Sequence, residues 1–151
     1  LKHDPDRHHR RSIRLKGHDY AQPGAYFVTV CTRDRACLLG DVVDGEMRLN
    51  EYGMAVREEW LKTAELRDNV ETDACTVMPN HIHGIVIITE GSRGTARRAP
   101  TERFGKPVAY SIPTIMRAFK SASTKRINEM RKTPGTPVWQ RSYYEHVHPV
   151  R

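Results

Sequence analysis

Val77-Met78-Pro79-Asn80-His81-Ile82-His83-Gly84-Ile85-Val86-Ile87-Ile88 is the stretch whose reading decides the fold of this chain. Residues two apart on a strand project to one face, so His81 and His83 point the same way and Ile82 points to the other side. The apolar run after Gly84 marks a buried central strand. Two imidazoles beside such a run are unfavourable unless something satisfies their nitrogens. The competing reading is two ordinary strand histidines. The context favours half of a divalent metal site.

Elements on either side complete the pattern. Gly24 to Thr32 is a strand of aromatic and β-branched residues after the Pro23-Gly24 turn signal. Leu38–Asp44 and Glu46–Leu49 form a small hairpin about Asp44-Gly45. Asn50 caps a helix to about Arg67, with Met54, Trp60, Leu61 and Ala64 supplying its apolar face. Val70 to Met78 is the next strand, and Pro79 predicts a local bulge before the histidines. A second helix runs from Ser111 to Arg131, with Pro113 in its first turn. Val138 to Val147 reads as the last strand. This order predicts an α+β, ferredoxin-like fold: a four-stranded antiparallel sheet with helices on one face and the histidine pair on a central strand.

The chain has 151 residues, enough for one domain with a modest core. Residues 1–19 read as a flexible basic arm and 20–151 as the folded domain. The 25 Lys and Arg against 18 Asp and Glu give a net charge of +7, which favours a polyanionic partner. The basic residues cluster in the arm, in the Gly- and Arg-rich stretch 91–109, and along the second helix. Cys31, Cys37 and Cys75 are odd in number with no Cys-x-x-Cys, so they read as reduced thiols and exclude a disulfide framework or zinc knuckle. No apolar stretch approaches the roughly 20 residues that span a bilayer, and no secretory signal opens the chain. A cytoplasmic or nucleoid-associated protein is expected. The chain begins at Leu1, which suggests that a few residues precede it.

Met78-Pro79-Asn80-His81-Ile82-His83-Gly84-Ile85-Val86-Ile87-Ile88, then Phe119-Lys120-Ser121, then Val138-Trp139-Gln140-Arg141-Ser142-Tyr143-Tyr144-Glu145-His146-Val147 resemble the REP-associated tyrosine transposases of the single-tyrosine HUH superfamily. The strand Gly24–Thr32 is similar too, and the likeness runs from about Gly17 to Val147. The resemblance implies DNA transposition and recombination chemistry on single-stranded hairpins of repetitive palindromic elements. It implies an endonuclease in which His81 and His83 hold Mg²⁺ or Mn²⁺ while a tyrosine attacks a phosphodiester. Two imidazoles with water and an oxygen ligand suit such an ion, Mn²⁺ more readily than Mg²⁺, whereas a closed structural zinc site lacks its remaining ligands.

In that family the nucleophile lies on a helix after the last strand, and an amide four residues later completes the metal site. This chain ends at His146-Val147-His148-Pro149-Val150-Arg151, so it is expected to lack both and to be inactive as given. Tyr144 is the weak remaining candidate nucleophile, and Glu145 a candidate carboxylate near the metal. His146-x-His148 reads as accidental. DNA contacts are expected from Arg7, Arg10, Arg11, Arg14, Lys120, Arg126 and Arg141. The alternative is a non-catalytic nucleic-acid-binding module on the same fold. A monomer and a dimer both stay open. An RNA-binding sheet of the RRM type is disfavoured because its aromatic signature is absent. With aromatic residues at 7%, backbone recognition of hairpins is favoured over general coating of single strands.

Overall fold

A computed structural model of the chain describes residues 14–90 and 111–148. Strand β1 (Gly24–Cys31) leads through a 3₁₀ turn at Arg33–Arg35 into a hairpin, β2 (Gly40–Val43) and β3 (Glu46–Leu49). Helix α1 (Glu51–Glu65) follows, then β4 (Val70–Met78), β5 (His81–Ile88), α2 (Ile112–Arg131) and β6 (Tyr144–His148). The main sheet runs β4-β5-β1-β6, every neighbouring pair antiparallel, with β5 and β1 at the centre. This is the expected ferredoxin-like order, and β2–β3 is a separate two-stranded ribbon.

Local chemistry explains the element ends. Asn50 Oδ1 accepts the amides of Tyr52 and Gly53 at 3.0 Å each, and Ser111 Oγ accepts that of Thr114, so both helices start on a capping side chain. Asp44 and Gly45 both hold positive φ, 52° and 79°, the twist that a two-residue hairpin turn requires.

The core lies between the helices and one face of the sheet. Tyr26, Val28 and Val30 of β1 and Ile82, Val86 and Ile88 of β5 meet Val56 and Trp60 of α1 and Ile115, Met116, Phe119 and Ile127 of α2. Trp60 packs edge-on to Phe119, with ring centroids 5.3 Å apart. Gly84 sits in the same layer because nothing larger fits. A Cβ there would overlap the Trp60 indole, reaching 2.6 Å from Cε2.

Three expectations need correction. Pro79-Asn80 is no bulge but the two-residue turn of the β4–β5 hairpin, with Met78 opposite His81. The register slip falls earlier, between Thr72 and Cys75. On α1, Met54 and Leu61 are 47% and 52% exposed, while Gly53, Val56, Trp60 and Thr63 are buried. Trp60 lies on the core face as expected, but the buried stripe runs at i, i+3, i+7 and i+10 from Gly53, so Met54 and Leu61 fall one residue off it. The last strand begins only at Tyr144. Before it, Trp139 makes one bridge to Thr32 and buries its indole, whose N–H donates to Ser123 Oγ at 2.9 Å.

Candidate functional site

The sheet face turned away from the helices carries alternate residues of each strand. Pairing sets the rows: Thr76, His83, Thr29 and Tyr144 share one, while Met78, His81 and Cys31 share the next. His81 and His83 stand side by side with ring centroids 4.6 Å apart at 72°. The Phe27 ring stacks on His83 at 5.5 Å.

Each imidazole is held by its Nδ1. Asn80 Oδ1 lies 2.7 Å from His81 Nδ1, and an amide oxygen can only accept, so Nδ1 carries the proton and Nε2 the lone pair. His83 Nδ1 lies 2.7 Å from Thr29 Oγ1, the partner directly across the ladder. The same tautomer there leaves a second Nε2 lone pair. Burial, and then the neighbouring His83, push the protonation of His81 below the ordinary imidazole range. This pattern suits metal ligation, since a ligating histidine gives its other N–H to an oxygen that fixes tautomer and ring angle. Sequence reading missed Thr29 and Asn80, although Asn80 is adjacent to the motif. Thr29 becomes visible only once β1 and β5 are paired.

Among the described residues no group of three His, Cys, Asp or Glu side chains forms a metal cage. An ion at the pair would complete its shell with water or substrate oxygen, which fits Mg²⁺ or Mn²⁺ and not a closed zinc site.

Other candidates fall elsewhere. Glu145 pairs with Val28, a core residue, so it lies on the helix side of the sheet and cannot reach the histidines, contrary to expectation. Its two carboxylate oxygens are buried beside the Tyr20 and Tyr143 hydroxyls. Tyr143 is buried there too, and burial, then the Glu145 charge, drive its ionisation far above the usual phenol range. Tyr144 faces the open side and is 53% exposed, as strand alternation predicted for one of the two tyrosines. His146 and His148 share that face but pair with Phe27 and Ala25, two strands from β5, too far to join the pair at one ion.

The basic residues divide by how far the protein already engages them. Arg126 binds Glu58 and Glu59 of α1 at 2.8 and 3.0 Å. Lys120 donates to the carbonyls of Gln140 (2.6 Å) and Arg141 (3.1 Å), and burial pushes its ionisation down. Arg14 lies 5.3 Å from the centroid of the Tyr143 ring. Arg141 is exposed, whereas Arg7, Arg10, Arg11 and the basic stretch 91–109 lie outside the described residues.

The sheet order and its two helices define the class: a ferredoxin-like α+β domain, and the solved structures that share its fold are transposases. A REP-associated tyrosine transposase solved in complex with a REP hairpin superposes with a TM-score of 0.56 at 21% identity, over 91% of this chain and 64% of that one. A Deinococcus radiodurans protein described as a transposase gives 0.55 at 21% identity, over 90% of this chain and 87% of that one. The chain therefore spans just under two thirds of the hairpin-bound transposase. At these identities the likeness concerns the fold. No protein-family model matches the sequence. In sequence, the chain is 36% identical over 144 residues to an uncharacterised protein of Haemophilus influenzae, covering 93% of this chain and 79% of that one. It belongs to the family of that Haemophilus protein. No helix among the described residues is long and apolar enough to cross a membrane.

Proposed function

We propose that this protein binds single-stranded DNA hairpins and that His81 and His83 hold a divalent cation, Mg²⁺ or Mn²⁺, for cleaving and joining the strand through a tyrosine. The observation that carries the reading is the pair of imidazoles, each tied at Nδ1 and each presenting Nε2, on the open face of a transposase-like sheet. The excess of Lys and Arg supports a polyanionic partner.

A bound divalent ion supplies positive charge against the scissile phosphate and the leaving oxygen. The chain's own part is orientation. Thr29 and Asn80 lock the two ring planes, and Phe27 walls one side of His83. Among the described residues, Tyr144 is the tyrosine on this sheet face, two inter-strand spacings or about 10 Å from His83 along the row. In-line attack requires reacting atoms about 3–3.5 Å apart, so we leave the nucleophile unassigned. The alternative, a binding module without chemistry, draws on the lack of a third metal-binding side chain among the described residues.

The test uses a labelled hairpin with single-stranded flanks, incubated with Mn²⁺ and resolved on native and denaturing gels. The proposal expects a native complex, with no covalent adduct dependent on Tyr144. A covalent band lost in Tyr144→Phe would assign the nucleophile to this chain. Absence of any complex would remove the DNA-binding reading.

A further inference from the structure

Beside the histidine pair, a cleft of about 800 Å³ is lined by Arg33, Asp34, Arg35, Trp139, Gln140 and Arg141. The two segments that form it are fastened to the histidine end of the sheet. Gln140 N–H donates to the Cys31 carbonyl at 2.8 Å, and Cys31 is the strand partner of His81. Arg33 N–H donates to the Val138 carbonyl at 2.8 Å, which ties the two segments to each other. Since Thr32 and Trp139 form a bridge with both side chains buried, their neighbours Cys31 and Gln140 fall on the open face, in the row of His81. Asn80 joins the two features directly. Its Oδ1 holds His81, while its Nδ2 makes a longer contact of 3.5 Å with the Arg35 carbonyl.

The charge in this cleft is uncommitted. Arg33, Arg35 and Arg141 are exposed, and none makes an ion pair among the described residues, unlike Arg126. One carboxylate, Asp34, lines the same cleft and is outnumbered. The loop also holds an unfavourable backbone: Asp34 and Arg35 sit at φ 55° and 53°, a left-handed conformation that costs side-chain-bearing residues roughly 1–2 kcal/mol. Such strain is retained where it positions something.

We propose that this cleft is a phosphate-binding channel that carries the DNA strand to or from the histidine pair, with Arg33, Arg35 and Arg141 contacting its backbone. The inference rests on the DNA-binding reading above and adds the path of the strand. Guanidinium groups pair with phosphate oxygens through two parallel donors, which suits a backbone held in register. Two inter-strand spacings, about 10 Å, separate the His81 and Gln140 positions. That is roughly three stacked nucleotide steps of 3.4 Å.

The experiment measures hairpin DNA affinity against salt for three proteins: the wild type, Arg33→Gln/Arg35→Gln/Arg141→Gln, and a control of equal charge, Arg48→Gln/Arg57→Gln/Arg117→Gln. Each lost single-strand phosphate contact lowers the slope of log K against log salt by about 0.7. The cleft variant should therefore lose roughly 2 from the slope while the control stays within about 0.7 of wild type. A second readout needs no variant to fold. Neutral methylphosphonate linkages, placed one at a time along the strand, should weaken wild-type binding at a few adjacent positions on one flank. Equal losses in both triple variants, an unchanged slope in the cleft variant, or a flat methylphosphonate profile would each overturn the channel while leaving DNA binding intact. No binding by the wild type would overturn both readings.

Discussion

On one side of β5, Ile82, Val86 and Ile88 are sealed beneath two helices, and Gly84 lies against the Trp60 indole. On the other side, His81 and His83 keep their Nδ1 atoms bonded to Asn80 and Thr29. The two sets alternate along eight residues of a single strand. Substitutions one position apart should therefore damage different properties, stability on one face and ligand binding on the other. The difference also explains why the histidines can be open to a ligand and fixed in placement at once: the strand that carries them is anchored by its other face.

The largest expected effect is on the sealed face. Gly84→Ala forces a methyl into the indole and should cost about 3 kcal/mol, the upper end of overpacking penalties, measured by urea unfolding. Ile85→Ala, one residue on and half-exposed, deletes more atoms yet should cost only about 1 kcal/mol, because much of that side chain is already in water. Equal losses would break the distinction between the faces.

The open face sharpens the comparison in the other direction. Thr29→Val keeps the shape of the side chain but removes the oxygen at His83 Nδ1. Mn²⁺ affinity should fall about 10- to 100-fold, as for other partners of ligating histidines, while the unfolding midpoint moves little. Calorimetric titration and a thermal melt on the same sample check both halves. A large loss of stability with unchanged metal affinity would make Thr29 a structural residue.

A smaller effect belongs to the helical layer. Burial raises the Glu59 carboxyl, but hydrogen bonds from Lys62 and Arg126 outweigh it and hold its ionisation below the ordinary carboxylate range. A lowered folded value means that the ionised pair stabilises the protein above the unfolded value near 4.3, and that this contribution is lost as pH falls through the folded value. Arg126→Gln should thus be destabilised by about 1 kcal/mol or less at pH 7, with the gap to wild type closing below about pH 4. A gap that widens in acid would contradict that sign.

Much of this arrangement was readable from local signals. Asn50, Ser111-x-Pro113 and Asp44-Gly45 mark element ends through bonds to residues two or three positions away, and the alternation through His81 and His83 separates core from surface without any partner strand. The rest depends on contacts distant in sequence. Gly84 faces Trp60 across 24 positions, and Thr29 meets His83 across 54. Arg33 and Arg35 stand in no motif, and they become part of a cleft only through the Trp139–Arg141 segment more than a hundred positions away. Glu145 was placed near the metal by its proximity to the motif residues alone, without following the two-residue alternation from Tyr143, which carries it to the core side. The residues before Tyr144 do not continue the β6 ladder, and the pairing of Glu145 with Val28 turns it to the core.

The central claim is that the open face of β5 is a ligand site with two histidines as its protein half. Titration of Mn²⁺ into wild type and His81→Ala, each first shown to melt at the same temperature, tests it most directly. A saturable heat in the wild type that vanishes in His81→Ala, with stability unchanged, is the predicted result. Identical traces from the two proteins, whether both show binding or neither does, would contradict it.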